Sequence, residues 1–490
     1  MNSITTMNLI NKFKSLSQET KASIVYVFAA VVSKGLSVIT LPIFTRLMST
    51  EQIGVVGVFN SLVCILGPIA SLALITGGFN VAMKEFKTER DSYCSSILTL
   101  TFISSTFFFI SFVIFPNIWL NFVNLPDELV FLALFGLFVQ PGYDIYLAKC
   151  RYEYNYKSVF LLTVLLAVVT SLFSVVSIIV ANKFNYEELG SVRLYATYSL
   201  IYIVDCCICI KIFSKGKKTY SKDFWFFSLK LSLPLIINSL SAVVLGFFDR
   251  LMISQMGSNS DVGIYTTIYS LGSLPVFVWS AINMAYIPFL FERIDNTSEH
   301  NKIHKSSNSF LLFFGSIIIT VSLFSPELIK IFATNDYMDA VEIVPVIALA
   351  IFYIAIANMY SNILLYYKKT NLIMICTVVA ALLNILLNLL LIPYYGYKAA
   401  AYTTLSSYVV LAILQKILAG KQILNAGFSN SIYDERTILL IQMLVLIVCT
   451  TSSFMSRLPE IRYSIILVTL SALILKRKSV FEIINSVARR

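Results

Sequence analysis

The chain has 490 residues, of which 58% are apolar and 13% charged, with a mean hydropathy of +0.81. That balance excludes a soluble globular protein and points to a polytopic membrane protein, in which apolar runs near twenty residues each cross a hydrocarbon core about 30 Å thick. The net charge of +11 has no polar module to display it to nucleic acid, so it reads as a positive-inside signal and nucleic acid is not an expected partner.

A basic amphipathic lead (Lys12, Lys14, Lys21) precedes the first apolar stretch, Ala22 to Met48. No small-residue cleavage site follows that run, so it is expected to stay as the first helix. It carries Lys34, which at 1.5 Å per residue lies roughly 18 Å from either edge, too far for its stem to snorkel. An ammonium at that depth costs about 2.5–3.5 kcal/mol on insertion scales, so Lys34 is expected to face a bundle interior or a wet cavity. Ser37 and Thr45 fall near the same side of the helix, and Pro42 should bend it.

Further spans are expected near 54–80, 94–115, 129–148, 158–181 and 192–212, then 226–248, 262–290, 306–325, 341–366, 372–392, 399–418, 437–454 and 463–475. The expected fold is all-α and polytopic, with about fourteen transmembrane helices. They form two pseudo-symmetric six-helix bundles, 1–213 and 224–420, joined by a basic linker at 214–223 and followed by two extra helices and a basic tail at 421–490. The short last span is included because it puts 27 of the 37 Lys and Arg residues on the side of the N-terminus against 8 on the other, so both termini are expected in the cytoplasm. Arg46-Leu47-Met48 is echoed by Arg250-Leu251-Met252, and Ile53-Gly54-Val55 by Val262-Gly263-Ile264, at offsets of 204 and 209 residues. Six crossings separate the copies, so the repeats would be parallel, as in transporters built from two rocking bundles.

No catalytic unit is visible, and the protein is not expected to be an enzyme. Lys215-Gly216-Lys217-Lys218-Thr219 lacks the upstream glycine of a phosphate-binding loop, which argues against ATP hydrolysis. An ion gradient, the membrane potential or the substrate gradient must then supply the drive. The eight cysteines lie in or beside spans, far in sequence from His300 and His304, so no metal site and no cofactor is expected. Inside spans, Asn358 with Asn362, and Asn384 with Asn388, are i, i+4 pairs that either bond neighbouring helices or line a cavity. Lys34, Arg46 and Arg250 come from equivalent helices of the two halves and suit a phosphate or pyrophosphate group; the alternative for the arginines is interfacial anchoring, with Arg250 paired to Asp249. These seven residues are the candidate substrate contacts. Asp205 and Asp249 are candidate ion-coupling groups, Asp205 alternatively neutralising a neighbouring lysine. Tyr265, Tyr269, Tyr286, Tyr394, Tyr395 and Tyr397 either stack on sugar rings or belong to interfacial belts.

The stretch Leu41-Pro42-Ile43-Phe44-Thr45-Arg46-Leu47-Met48-Ser49 with Glu51 to Gly54 resembles the opening of Wzx-like O-antigen and polysaccharide flippases. Asp249-Arg250, Gly263-Ile264-Tyr265 and Pro288 resemble their second half, and Asn384 to Asn388, Ile392-Pro393, Gly396 and Ala399-Ala400-Ala401 their eleventh-to-twelfth helix turn. The resemblance covers nearly the whole chain. It implies the multidrug/oligosaccharidyl-lipid/polysaccharide exporter fold in a bacterial cytoplasmic (inner) membrane. It also implies a substrate: an oligosaccharide repeat unit of O-antigen or a related lipopolysaccharide on undecaprenyl pyrophosphate, turned from the cytoplasmic to the periplasmic leaflet by alternating access, with a proton or sodium gradient as the drive. Membrane lipids, a polysaccharide polymerase and a chain-length regulator are the implied partners. The alternatives are a peptidoglycan lipid-precursor flippase or a cation-coupled multidrug exporter of the same fold, and, from another class, a polytopic O-antigen polymerase or ligase.

Overall fold

The computed structural model describes residues 17–428, 431–455, 460–469 and 471, and among these every regular element is a helix. They divide into two compact units between Leu240 and Ser241, inside the seventh long helix. Twelve described helices are long and apolar enough to cross a membrane, or thirteen when one bent pair counts as a single span. The protein is therefore a multi-pass, all-α membrane protein, as expected; the fourteenth expected span, 463–475, lies partly outside the described residues.

The first unit opens with α1 (Gln18–Leu47), which carries Pro42 in its interior and is followed by α2 (Thr50–Ala70). Ser49 starts α2 with a reciprocal capping box, its hydroxyl accepting from the Gln52 amide while the Gln52 side chain accepts from the Ser49 amide. The expected second span does not continue unbroken to residue 80. Leu72 and Ala73 take left-handed φ angles of 50° and 46°, and the chain resumes as the short helices α3 (Leu74–Gly77) and α4 (Phe79–Glu85). Pro68 removes an amide just before this break, and Gly77 and Gly78 accept it by close packing: a Cβ on Gly77 would stand 2.4 Å from the Ser232 hydroxyl.

Then come α5 (Arg90–Ile114), the short α6 (Pro116–Val123), α7 (Asp127–Tyr152), α8 (Tyr156–Lys183, with a π turn at Leu161–Leu165) and α9 (Leu189–Lys215). Small residues let α7 and α9 close on each other. A Cβ on Gly136 would lie 2.2 Å from the Tyr202 hydroxyl and one on Gly142 2.3 Å from the Cys209 sulfur, so a larger side chain at either position requires Tyr202 or Cys209 to shift. An aromatic cluster of Phe79, Phe86, Tyr93 and Phe224 closes the other end of the unit, with the Tyr93 hydroxyl 2.7 Å from that of Ser228.

The seventh helix, α10 (Lys222–Met256), carries the division between the units. In the second unit Ser258 builds another capping box, with Asp261, at the start of α11 (Asn259–Gly272); it stands 209 residues after Ser49, the offset of the Ile53 and Val262 echo. The expected eighth span is bent by 44° between α11 and α12 (Val276–Phe291), where Pro275 interrupts the amide ladder. Next are α13 (His300–Leu323), α14 (Ser325–Phe332), α15 (Ile343–Tyr366), α16 (Thr370–Tyr395), α17 (Tyr397–Asn425) and α18 (Glu435–Met455). The core of this unit lies around α15, with Trp279, Tyr286, Phe314 and Phe352 packed among its aliphatic side chains.

Candidate functional site

In the second unit the tight turn after α16 positions the polar residues. Gly396 has φ 64° and ψ −158°, a conformation almost confined to glycine, and it turns α17 back along α16. Asn388 and Thr403, nearly equidistant from the turn, then meet, Thr403 donating to the Asn388 side-chain carbonyl oxygen, and one turn further back on α16 Asn384 Nδ2 lies 3.5 Å from the Thr404 hydroxyl. The i, i+4 spacing puts Asn388 Nδ2 3.2 Å from Asn384 Oδ1. Asn388 and Thr404 close on Asp249 of α10, which is wholly buried, with Thr403 and Asn384 behind them. Its Oδ1 accepts from Asn388 Nδ2 at 3.3 Å; its Oδ2 accepts from the Thr404 hydroxyl at 2.9 Å and the Tyr265 hydroxyl at 2.6 Å. A buried carboxylate is tolerable only with such donors. The set turns N–H and O–H groups onto the carboxylate, so in this arrangement it solvates the charge rather than presenting oxygen lone pairs to a cation.

Arg250 is also buried, and the expected alternative of a pair with Asp249 does not describe its surroundings. Its guanidinium stacks 4.4 Å from the Tyr269 ring centre and 5.4 Å from those of Tyr265 and Phe247, while Nη1 donates to the Gly246 carbonyl. Among the described residues no carboxylate lies within ion-pair distance of the guanidinium, which ring faces and a backbone dipole hold, although the adjacent Asp249 feels its charge. Tyr265 is consumed by these contacts, and Tyr286 is buried in the core; Tyr394 and Tyr395, at the turn, are exposed.

The remaining candidates lie elsewhere. Asn362 is buried and donates to Asn283 Oδ1 at 2.8 Å, whereas the Asn358 side chain is half-buried and makes no hydrogen bond among the described residues. In the first unit Arg46 is exposed in the last turn of α1, with Nη1 3.4 Å from the Pro42 carbonyl. Lys34 is exposed on α1, and among the described residues no carboxylate pairs with it. Asp205 on α9 is 1% exposed, and among the described residues no donor reaches either of its oxygens and no lysine pairs with it. Of the nine sequence candidates the structure joins three, Asp249, Asn384 and Asn388, and adds Tyr265 as a donor along with Thr403 and Thr404, which sequence reasoning missed. The signal for the threonines was their near-mirror position about Gly396.

The first unit also holds a cavity of about 410 Å³, lined by Gln140, Asp144 and Arg151 of α7, by Ser71 and Thr76 at the break in the second span, and by Ser239. Among the described residues no cluster of His, Cys, Asp and Glu could hold a metal ion.

Two solved structures share the fold. An inward-facing multidrug resistance MATE family transporter of the MOP superfamily superposes with a TM-score of 0.59 at 15% identity, covering 84% of this chain and 100% of that one. The lipid II flippase MurJ in an inward closed conformation gives 0.60 at 16% identity over 89% and 99%. Among curated sequences, one uncharacterised membrane protein of Methanocaldococcus jannaschii is 22% identical over 50% of each chain, so the present chain spans about half the length of that relative. A second from the same organism is 26% identical over 79% of this chain and 94% of its own. The Lsg locus putative protein 1 of Haemophilus influenzae is 22% identical over 74% and 89%. The MatE profile matches residues 234–390, and the profile described as Polysaccharide biosynthesis protein matches residues 20–294, more than half of the chain. The expected kinship with polysaccharide flippases is thereby borne out, and the chain belongs to the polysaccharide biosynthesis protein family.

Proposed function

We propose that this protein is a flippase, not an enzyme, that carries undecaprenyl-pyrophosphate-linked oligosaccharide repeat units from the cytoplasmic to the periplasmic leaflet of a bacterial inner membrane by alternating access. The family and a fold shared with a lipid II flippase support the general activity. The observation that carries the substrate class is Lys34: an exposed cation in the middle of an apolar 30-residue helix, with no carboxylate beside it among the described residues. An intramembrane charge left without a protein partner belongs beside water or a charged ligand. A pyrophosphate on a lipid carrier would meet it while the prenyl tail stays in the bilayer. Arg46, at the end of the same helix, offers a second cation that binds phosphate bidentately, and Asn358 an amide free for a sugar hydroxyl. The Lys/Arg bias supports cytoplasmic termini. An ion gradient is the drive that fits, with the Asp249 network and Asp205 as its candidate sites.

The test is transport of a lipid-linked oligosaccharide by purified protein in vesicles, together with surface polysaccharide in cells lacking the gene. A charge-assisted contact contributes about 1.5–3 kcal/mol, so Lys34→Ala should slow transport roughly tenfold or more at unchanged protein level, and Lys34→Arg should retain most of it. Full activity in Lys34→Ala would remove the residue from the mechanism.

A further inference from the structure

Among the described residues two acids are fully buried, and their surroundings treat them differently. Asp249 has three side-chain donors, whereas Asp205 has none among the described residues although it is just as deeply buried. The place of Asp205 is set by helix spacing. Tyr202 and Cys209 both press onto α7, at Gly136 and Gly142, and Asp205 follows Tyr202 by three residues and precedes Cys209 by four, so all three share the face that meets α7. Cys209 Sγ donates to the Val139 carbonyl in the same seam, and the Tyr202 hydroxyl is a second buried polar group there without a protein partner.

Paired contacts that rise together along both helices put Asp205 level with Val139, and Asp144 about five residues, ~7.5 Å, further along the axis. Asp144 lines the 410 Å³ cavity with Gln140, one turn earlier on α7, and Arg151. It is also the charged side chain whose field acts on Asp205. The other titratable groups around Asp205 are Tyr143 on α7 and Tyr202, Cys206 and Cys209 on its own helix. Of the remaining elements packed on α9, α2 offers Cys64, α5 has Tyr93 and Cys94 beside the far end of α9, and α8 has Lys183 at its end. No cation among these neutralises Asp205.

An ionised carboxylate without donors costs several kcal/mol in such a seam, and a bare metal cation would need several more oxygen ligands than this face supplies. We propose that Asp205 is a proton-carrying site of the first unit and that Asp144 connects it to the cavity. In this state Asp205 is the neutral acid. To release its proton, the Asp205 O–H bond breaks and the proton passes through cavity water near Gln140 to the Asp144 carboxylate, which hands it to bulk water; uptake reverses these steps, with no other reactant. The site gives the transport cycle a proton to exchange at one fixed position, and so names the coupling ion of the flippase reading on which this inference rests.

The test has one arm that needs no transport. Infrared difference spectra of full-length protein in nanodiscs, recorded across neutral pH, should contain a protonated-carboxyl C=O band that shifts in heavy water, is missing in Asp205→Asn and persists in Asp249→Asn. In Asp144→Asn the band should remain but exchange its proton at least about tenfold more slowly, as expected when a relay group is removed. In vesicles, an imposed pH gradient should accelerate wild-type transport and leave Asp205→Asn unaffected, while that variant still moves substrate down its own gradient. The proposal is overturned if Asp205→Asn, eluting as folded protein, keeps the band, or if exchange in Asp144→Asn matches wild type. A wild-type protein that shows the band but moves no lipid-linked oligosaccharide would sink the flippase reading and leave the proton site standing.

Discussion

Replacing Asn388 by alanine tests whether the cluster around Asp249 holds the second unit together. Asn388 is fully buried and makes three side-chain contacts: it donates to Asp249 Oδ1 and Asn384 Oδ1 and accepts from Thr403. Thr403 loses little, because its hydroxyl also lies 3.0 Å from the Ala400 carbonyl. The other two partners are left bare, Asp249 Oδ1 most seriously, since no second donor to that oxygen is present among the described residues. Two of the three contacts cross between helices, where they average about 0.6 kcal/mol each, so they give roughly 1 kcal/mol. Leaving a charged oxygen dry adds about 1–2 kcal/mol more. Asn388→Ala should therefore lower unfolding free energy by about 2–3 kcal/mol, whereas Asn358→Ala, which removes no hydrogen bond among the described residues, should stay within about 0.5 kcal/mol of wild type. The assay is reversible unfolding of purified protein in mixed micelles titrated with sodium dodecyl sulfate. Thr404→Val strips the same carboxylate at Oδ2, and the double variant should depart from additivity by at least about 0.5 kcal/mol. If Asn388→Ala unfolds with wild type, the cluster does not stabilise the unit and its geometry has another purpose.

Two further outcomes are expected. In a cysteine-free background, Lys217→Cys in the exposed basic linker should resist membrane-impermeant maleimide in intact cells and react after permeabilisation; labelling of intact cells would overturn the cytoplasmic assignment of the termini. Asp434 precedes α18, and hydrogen bonds from the Thr437 hydroxyl and amide, then from Asn308, hold its carboxyl below the ordinary 3.8. A depressed carboxyl contributes its stability in full above 3.8 and loses it as pH falls through the folded value, so the gap in unfolding midpoint between wild type and Asp434→Ala should be constant near neutrality and close only in stronger acid. A gap that closes near neutral pH would contradict the cap.

The spans were legible because twenty-residue apolar runs have few other uses; the capping boxes that Ser49 and Ser258 head at the second helix of each unit were not read, although their signature is local. The break at Leu72 and Ala73 was not legible. Nothing in an apolar run marks left-handed φ at non-glycine residues, and the contact that accommodates it comes from Ser232, far along the chain. Within the site, the i, i+4 asparagines announced one face of α16, but their common target could not be read. Asp249 meets them through a turn at Gly396 that fixes distances no periodicity encodes. Arg250 was misleading for a related reason: sequence proximity suggested Asp249, while the fold supplied ring faces.

The donors around Asp249 all point one way. Asn388 and Thr404 turn nitrogen and hydroxyl toward the carboxylate, and their own acceptors are satisfied from outside it by Thr403 and Asn384. Rotating either amide by half a turn would set oxygen against oxygen, so the orientation is locked by the ring as a whole. Such a shell replaces liquid water with dipoles that do not reorient when the charge they face changes. Asp249 is thus solvated once, by folding, and stays so. Asp205, which no donor reaches among the described residues, has no such shell.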